Sequence, residues 1–72
     1  MNEYKKKLEI FLEHHAKERD KSELKVIKKY EEHLMIGALL FAMNAGIITP
    51  IEELDLDRRY VGNKQESYAA GD

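Results

Sequence analysis

The sequence contains no cysteine and no tryptophan, and it has a single proline. Without cysteine the chain cannot form a disulfide, and this absence is typical of proteins in a reducing cytosol. A domain of 72 residues is marginally stable unless disulfides, a metal or association with another chain adds to its core. Because disulfides are excluded, we expect association to supply the additional stability.

An excess of charge of one sign is also lacking. The net charge is −2, although 36% of the residues are charged. The first half of the chain carries nearly equal numbers of acidic and basic residues, and the second half is acidic. Neither half therefore has the composition of a basic arm that binds nucleic acid.

No segment has the pattern of a signal peptide or of a membrane span. The basic residues at 5–7 are followed by a stretch that Glu9 and Glu13 interrupt, whereas a signal peptide needs a continuous apolar core. The one long apolar run, residues 34–48, includes Asn44 and is shorter than the roughly 20 residues that span a bilayer. The sequence thus predicts a cytoplasmic protein without membrane contact.

The apolar run at residues 34–48 is uncharged on every side of a helix. A helix that is apolar all round must be covered all round, and so short a chain has little material to cover it. In an antiparallel hairpin the preceding helix is too short to reach residues 39–43, so this end is expected to extend beyond it. We therefore expect the run to contact a second copy of the chain or another protein. The alternative is that residues 34–48 form the core of a closed three-helix monomer, covered by the short third helix.

Hydrophobic periodicity predicts an all-α fold. An antiparallel helical hairpin covers about residues 3–18 and 21–44, a short third helix covers about residues 50–60, and dimerisation completes the fold. Residues 1–61 form one helical domain, and the tail at 62–72 lacks periodicity and is predicted to be disordered. The stripe predicted to join the two long helices comprises Tyr4, Leu8, Phe11, Leu12 and His15 in the first and Leu24, Val26, Ile27, Tyr30, Leu34 and Met35 in the second.

Local signals predict where the helices begin and end. Asp20 with Glu23 predicts an N-cap for the second helix. No glycine or proline enforces that break, so one continuous helix over residues 3–45 is an alternative. Gly46 predicts the end of the second helix. The sequence Thr-Pro-Ile-Glu at residues 49–52 predicts the start of the third.

Three histidines are the candidates for a metal site, but their spacing keeps them apart. His14 and His15 point about 100° apart on a helix, and His33 lies at the other end of the hairpin from His15. A metal held between subunits remains an alternative. The carboxylate pairs are expected on helix surfaces, no serine has a base partner, and no glycine-rich phosphate loop occurs. We therefore predict no catalytic, cofactor-binding or metal-binding residue and no enzymatic activity.

The corner around Gly46 resembles two known helical modules. Ala42, Gly46 and Ile47 resemble the turn of a helix-turn-helix over residues 38–60, which implies a recognition helix after the corner. That helix carries four acidic residues near its N-terminal half, where a recognition helix meets phosphates and bases. The sequence Gly-Ile-Ile-Thr also resembles the corner of short C-terminal oligomerisation (SHOCT) modules, without the aromatic residue after the acidic pair. No family is identified for the whole chain.

Together these features predict a small non-enzymatic protein–protein interaction module. We expect a regulator or inhibitor that docks on another protein and forms a homodimer through residues 34–48. Its small size, lack of cysteine and charged helices are typical of bacterial or phage accessory proteins. The residues predicted for self-association are Met35, Leu39, Leu40, Phe41 and Met43. The residues predicted to contact the partner protein are Lys25, Lys28, Lys29, Glu32, Glu52, Glu53 and Asp55.

The alternative function is a dimeric regulator that binds nucleic acid. The second helix carries a basic ridge that would contact phosphates. An ordinary solvated helix face has the same pattern, and neighbouring glutamates dilute the positive charge. The ridge comprises Lys21, Lys25, Lys28 and Lys29.

Overall fold

The computed structural model describes residues 3–62, and all the elements in this part of the chain are helical. Helix α1 covers Glu3–Lys21, α2 covers Lys25–Asn44, and α3 covers Pro50–Leu56 and continues into one π-helical turn, Asp57–Val61. Two long helices pack against each other and a short third helix follows, so the all-α prediction is confirmed. Apart from Gly62, the tail predicted to be disordered lies outside the described residues.

The connection between the long helices differs from the prediction. Helix α1 runs through Asp20 to Lys21, and the residue before α2 is Leu24, which makes no side-chain cap. Asp20 is therefore not an N-cap, and the single continuous helix is also wrong. The Ser22 hydroxyl accepts a hydrogen bond from the Leu24 amide at 3.2 Å. Such a local bond competes with helical pairing and accompanies the break.

The core lies between the hairpin and the returning C-terminal segment. Leu12, Met35, Leu39 and Ala42 contribute from α1 and α2 and are almost fully buried. The cover over the end of α2 comes from Ile48, Leu56 and Val61, which are buried in the same cluster. The end of α2 at residues 39–43, which we expect to extend beyond the first helix, is therefore covered on its inner side within the same chain. The segment after Gly46 folds back over it.

The corner that reverses the chain follows from local signals. Gly46 has a φ of 79°, a conformation that glycine adopts without strain. The Ile47 amide donates to the Ala42 carbonyl at 2.8 Å and the Gly46 amide donates to the Met43 carbonyl at 3.1 Å, which is a Schellman motif. Thr49 and Glu52 then form a complete capping box. The predicted end of α2 and start of α3 are both confirmed.

Replacing Thr49 with alanine is expected to lower the free energy of unfolding by about 1 kcal/mol. The Thr49 hydroxyl accepts the Glu52 amide at 3.1 Å, and this amide loses its partner in the variant. Urea denaturation followed by circular dichroism measures the change. Thr49→Ser keeps the hydroxyl and is the matched control. Equal losses in the two variants would show that the cap contributes nothing to the corner.

Candidate interaction surface

The contact between α1 and the first half of α2 is polar. His15 Nδ1 lies 2.5 Å from a Glu31 carboxylate oxygen, and both side chains are mostly buried. Lys28 Nζ donates to the Arg19 carbonyl at 3.3 Å. Because residues near the end of α1 meet residues near the start of α2, the helices are antiparallel. Charged and polar side chains therefore face inward at the end of the hairpin that carries the turn.

Arg19 joins three parts of the fold. Its Nη1 donates to the Val61 carbonyl at the end of the π-helical turn, and the same atom lies 3.8 Å from a Glu32 carboxylate oxygen. Both charged side chains are well buried, with 15% and 14% of their surfaces exposed. The guanidinium has five donors in a fixed plane, so it can serve a carbonyl and a carboxylate together. Arg19 thus fixes α1 to α2 and to the C-terminal segment.

Apolar side chains lie on the opposite side of α2. Val26 is 69% exposed, Tyr30 is 58% exposed and Phe41 is 69% exposed. The prediction that Val26, Ile27 and Tyr30 pack against α1 is wrong, because the polar pairs occupy that contact. The residues recur at helical spacing on one side of the helix. We call this surface the outer α2 face, and it comprises Val26, Ile27, Tyr30, Leu34, Gly37, Leu40 and Phe41.

Gly37 lies in the middle of the outer α2 face. A glycine in a helix interior costs about 1 kcal/mol relative to alanine. The monomer gives no steric reason for this glycine, since a Cβ atom built there would meet nothing within 4 Å. Leu34 and Phe41, which carry larger side chains, each lie one helical turn from Gly37.

The residues predicted for self-association divide into two groups. Met35 and Leu39 have no exposed surface and belong to the core of this chain, and Met43 is half-buried against that core. Leu40 and Phe41 point outward, with 45% and 69% of their surfaces exposed. Met35 and Leu39 are therefore out of reach of a second copy unless the fold opens, whereas Leu40 and Phe41 are accessible.

Several residues predicted to contact a partner make intramolecular contacts. Glu52 closes the capping box and also accepts from Lys5 Nζ at 2.6 Å, and this lysine is the main reason that the pKa of Glu52 is lowered. Asp55 pairs with Arg59 at 2.6 Å. Burial, with the nearby Asp57 carboxylate, raises the pKa of Glu53. The acidic side of α3 is thus engaged largely in holding the third helix.

The basic ridge is also divided by the fold. Lys28 points toward the turn and bonds the Arg19 carbonyl, and Lys21 lies 3.3 Å from Glu18. Lys25 and Lys29 are exposed and lie within one helical turn of Val26. They form a basic border beside the outer α2 face rather than a separate ridge.

Residues 3–62 contain no cluster of three or more His, Cys, Asp or Glu side chains that could hold a metal ion. The adjacent rings of His14 and His15 lie 4.9 Å apart in an edge-on arrangement, and His14 and His33 are exposed. Within the same described range, the helices are too short or too polar to cross a bilayer.

Comparisons with protein-family models, with curated proteins and with solved structures find no significant match. Sequence reasoning missed the outer α2 face as a separate surface. The signal that could have found it is the uncharged series Val26, Tyr30, Gly37 and Phe41, which lies opposite the series Lys28, Glu32, Met35 and Leu39 on a helical projection.

Proposed function

We propose that this protein is a non-enzymatic interaction module that binds protein through the outer α2 face. The observation that carries the proposal is the placement of polar and apolar side chains at the start of the hairpin. Arg19 and Glu32 are mostly buried between the helices, whereas Val26 and Tyr30 are exposed on the outer side of α2. Burying charge costs free energy even when the charges are paired. Exposing large apolar side chains on one side of α2, around the exposed His33, gives no stability to the monomer, and such patches mark interaction sites.

The shape of the outer α2 face favours a helical partner or a narrow apolar groove. Anchors at Val26, Tyr30 and Phe41 lie along one side of a single helix, which is how a helix inserts into a hydrophobic groove. The basic border of Lys25 and Lys29 would lie at the rim of such an interface, where charges set orientation and association rate more than affinity. A regulator or inhibitor that acts by docking needs no more than this surface.

Capture of partners by a tagged full-length chain tests this proposal. Nuclease-treated lysate of the source organism is passed over wild type, Phe41→Glu and Ile10→Glu, and the retained proteins are quantified by mass spectrometry. Ile10 is 61% exposed on the outer side of α1, so its glutamate variant makes the same chemical change away from the outer α2 face. We expect a protein that is retained by wild type and by Ile10→Glu but lost by Phe41→Glu.

Two results would contradict the proposal. Identical retention by all three proteins would show that the outer α2 face does not bind protein. Retention of nucleic acid in samples without nuclease, with loss in the double variant of Lys25→Glu and Lys29→Glu but not in Phe41→Glu, would favour the nucleic-acid-binding regulator. Binding of that kind weakens steeply between 50 and 200 mM salt, by roughly 10³-fold or more when several phosphates are contacted.

A further inference from the structure

We propose that the outer α2 face binds a second copy of this chain, with the two α2 helices antiparallel about a two-fold axis. The inference rests on the proposed function, because it uses the same surface as a protein-binding face. It adds the identity of the occupant, the orientation of the helices and the residues that meet at the axis.

The order of side chains along α2 is self-complementary about one point. The midpoint between Leu34 and Gly37 is also the midpoint between Tyr30 and Phe41. In an antiparallel pair centred there, each Tyr30 ring lies opposite a Phe41 ring and each Leu34 lies opposite a Gly37. A two-fold interface requires this reciprocity of contacts. The open space at Gly37 then receives the leucine, which accounts for a glycine that the monomer does not need.

The charges at the ends of α2 also favour an antiparallel copy. The first turn of α2 has no acidic residue and the last turn has no basic residue, whereas Lys25 and Lys29 lie near the N-terminus. This distribution opposes the dipole of the helix, which favours acidic groups at its start and basic groups at its end. In the antiparallel pair, residue 29 lies at the level of residue 42 of the other copy, so Lys29, at the edge of the outer α2 face, can reach the C-terminal end of the other α2. The second copy thus supplies a basic group that this helix end lacks.

The area of the outer α2 face is close to the smallest that a specific dimer uses. An aromatic side chain presents on the order of 200 Å² when it is exposed, and an aliphatic side chain presents less. At the observed exposures of Val26, Ile27, Tyr30, Leu40 and Phe41, the outer α2 face presents on the order of 500 Å² of side-chain surface on that basis. Two copies would bury on the order of 1,000 Å², near the lower bound for a specific interface. The stem of Lys29 adds to this area.

Single-cysteine variants test the orientation directly, because the natural chain has no cysteine. At 1.5 Å per residue, the two copies of residue 34 lie about 4.5 Å apart along the helix axes in the antiparallel pair, and the two copies of residue 26 lie about 28 Å apart. Under mild oxidation we expect Leu34→Cys, which leaves the space at Gly37 open, to form a disulfide-linked dimer and Val26→Cys to remain unlinked. Cross-linking of both variants would indicate parallel helices. Cross-linking of neither variant would show that the two α2 helices do not meet at the proposed axis. Each of these results would overturn the proposal.

Sedimentation equilibrium of the unmodified full-length chain, over a series of concentrations, tests whether the dimer forms. We expect wild type and Ile10→Glu to dimerise with the same Kd and Phe41→Glu to raise the Kd at least tenfold while keeping its helicity. A wild-type chain that stays monomeric overturns the second copy but not the proposed function, which Phe41-dependent capture of a different protein still supports. Dimerisation that Phe41→Glu leaves unchanged places the interface elsewhere and also overturns the inference.

Discussion

Replacing Leu39 with alanine is expected to lower the free energy of unfolding by about 2–5 kcal/mol. Leu39 has no exposed surface and lies in the cluster that joins the hairpin to the returning segment. Removing its branched end loses apolar burial and leaves a cavity, and small domains have only about 5–15 kcal/mol of total stability. Urea denaturation at several protein concentrations measures the loss. We expect it to be present at the lowest concentration, because Leu39 packs within one chain.

Leu40 gives the matched control for this experiment. It is the next residue of α2, it has the same side chain, and 45% of its surface is exposed. Leu40→Ala is expected to change the free energy of unfolding of the monomer by less than about 1 kcal/mol. If Leu39→Ala destabilised the protein no more than Leu40→Ala, the placement of Leu39 inside the chain would be wrong. It would then belong to the contact between copies that the sequence alone predicts.

The helices and the corner could be predicted because their signals are local. The capping box at Thr49 and the left-handed glycine at Gly46 depend on residues within one turn of each other. The capped start of α3 also follows from proline at its first position. Asp20 shows the limit of such signals, because this residue is a suitable N-cap for the second helix but lies inside α1. The break comes after Lys21, where the Ser22 hydroxyl accepts a hydrogen bond from the Leu24 amide.

The side of α2 that faces α1 in the first half of the hairpin could not be predicted from the sequence. Both the side with Val26 and Tyr30 and the side with the glutamates can make favourable contacts with α1. Apolar residues such as Val26 and Tyr30 are expected to turn inward. The inner positions instead hold side chains that pair with α1, as Glu31 does with His15. The balance depends on pairing across the hairpin and on the bond from Arg19 to Val61, which is 42 residues away in sequence. Helical periodicity does not contain that information.

The polar contact also explains how a small chain can present an apolar surface. If Val26 and Tyr30 were the only means of joining α1 to α2, the hairpin would rotate to bury them. Instead, the ion pair of Arg19 with Glu32 and the contact of His15 with Glu31 keep the opposite side of α2 turned toward α1. A buried polar network is weak evidence for stability but in some systems it selects one arrangement over others. Here it leaves Val26 and Tyr30 on the exposed side of α2.

Replacing Arg19 with methionine is therefore expected to have the second large effect, a loss of about 2–4 kcal/mol in the free energy of unfolding. Methionine keeps much of the apolar stem but removes the donor to the Val61 carbonyl and the charge beside Glu32. The Glu32 carboxylate is then left in a mostly buried position without this partner. Denaturation measures the loss, and hydrogen exchange of residues 57–61 should show that the π-helical turn opens first.

Two further variants separate this role from a general effect of charge. Lys17→Met removes one positive charge from an exposed pair with Glu13 and is expected to change the free energy of unfolding by less than about 0.5 kcal/mol. Arg19→Lys keeps the charge but lacks the planar fork, so we expect it to restore only part of the stability. Full restoration by lysine would show that charge alone suffices. An Arg19→Met variant as stable as Lys17→Met would show that Arg19 does not hold the hairpin in this rotation. In that case the buried cluster of Leu12, Met35 and Leu39 would set the rotation of α2 without help from Arg19.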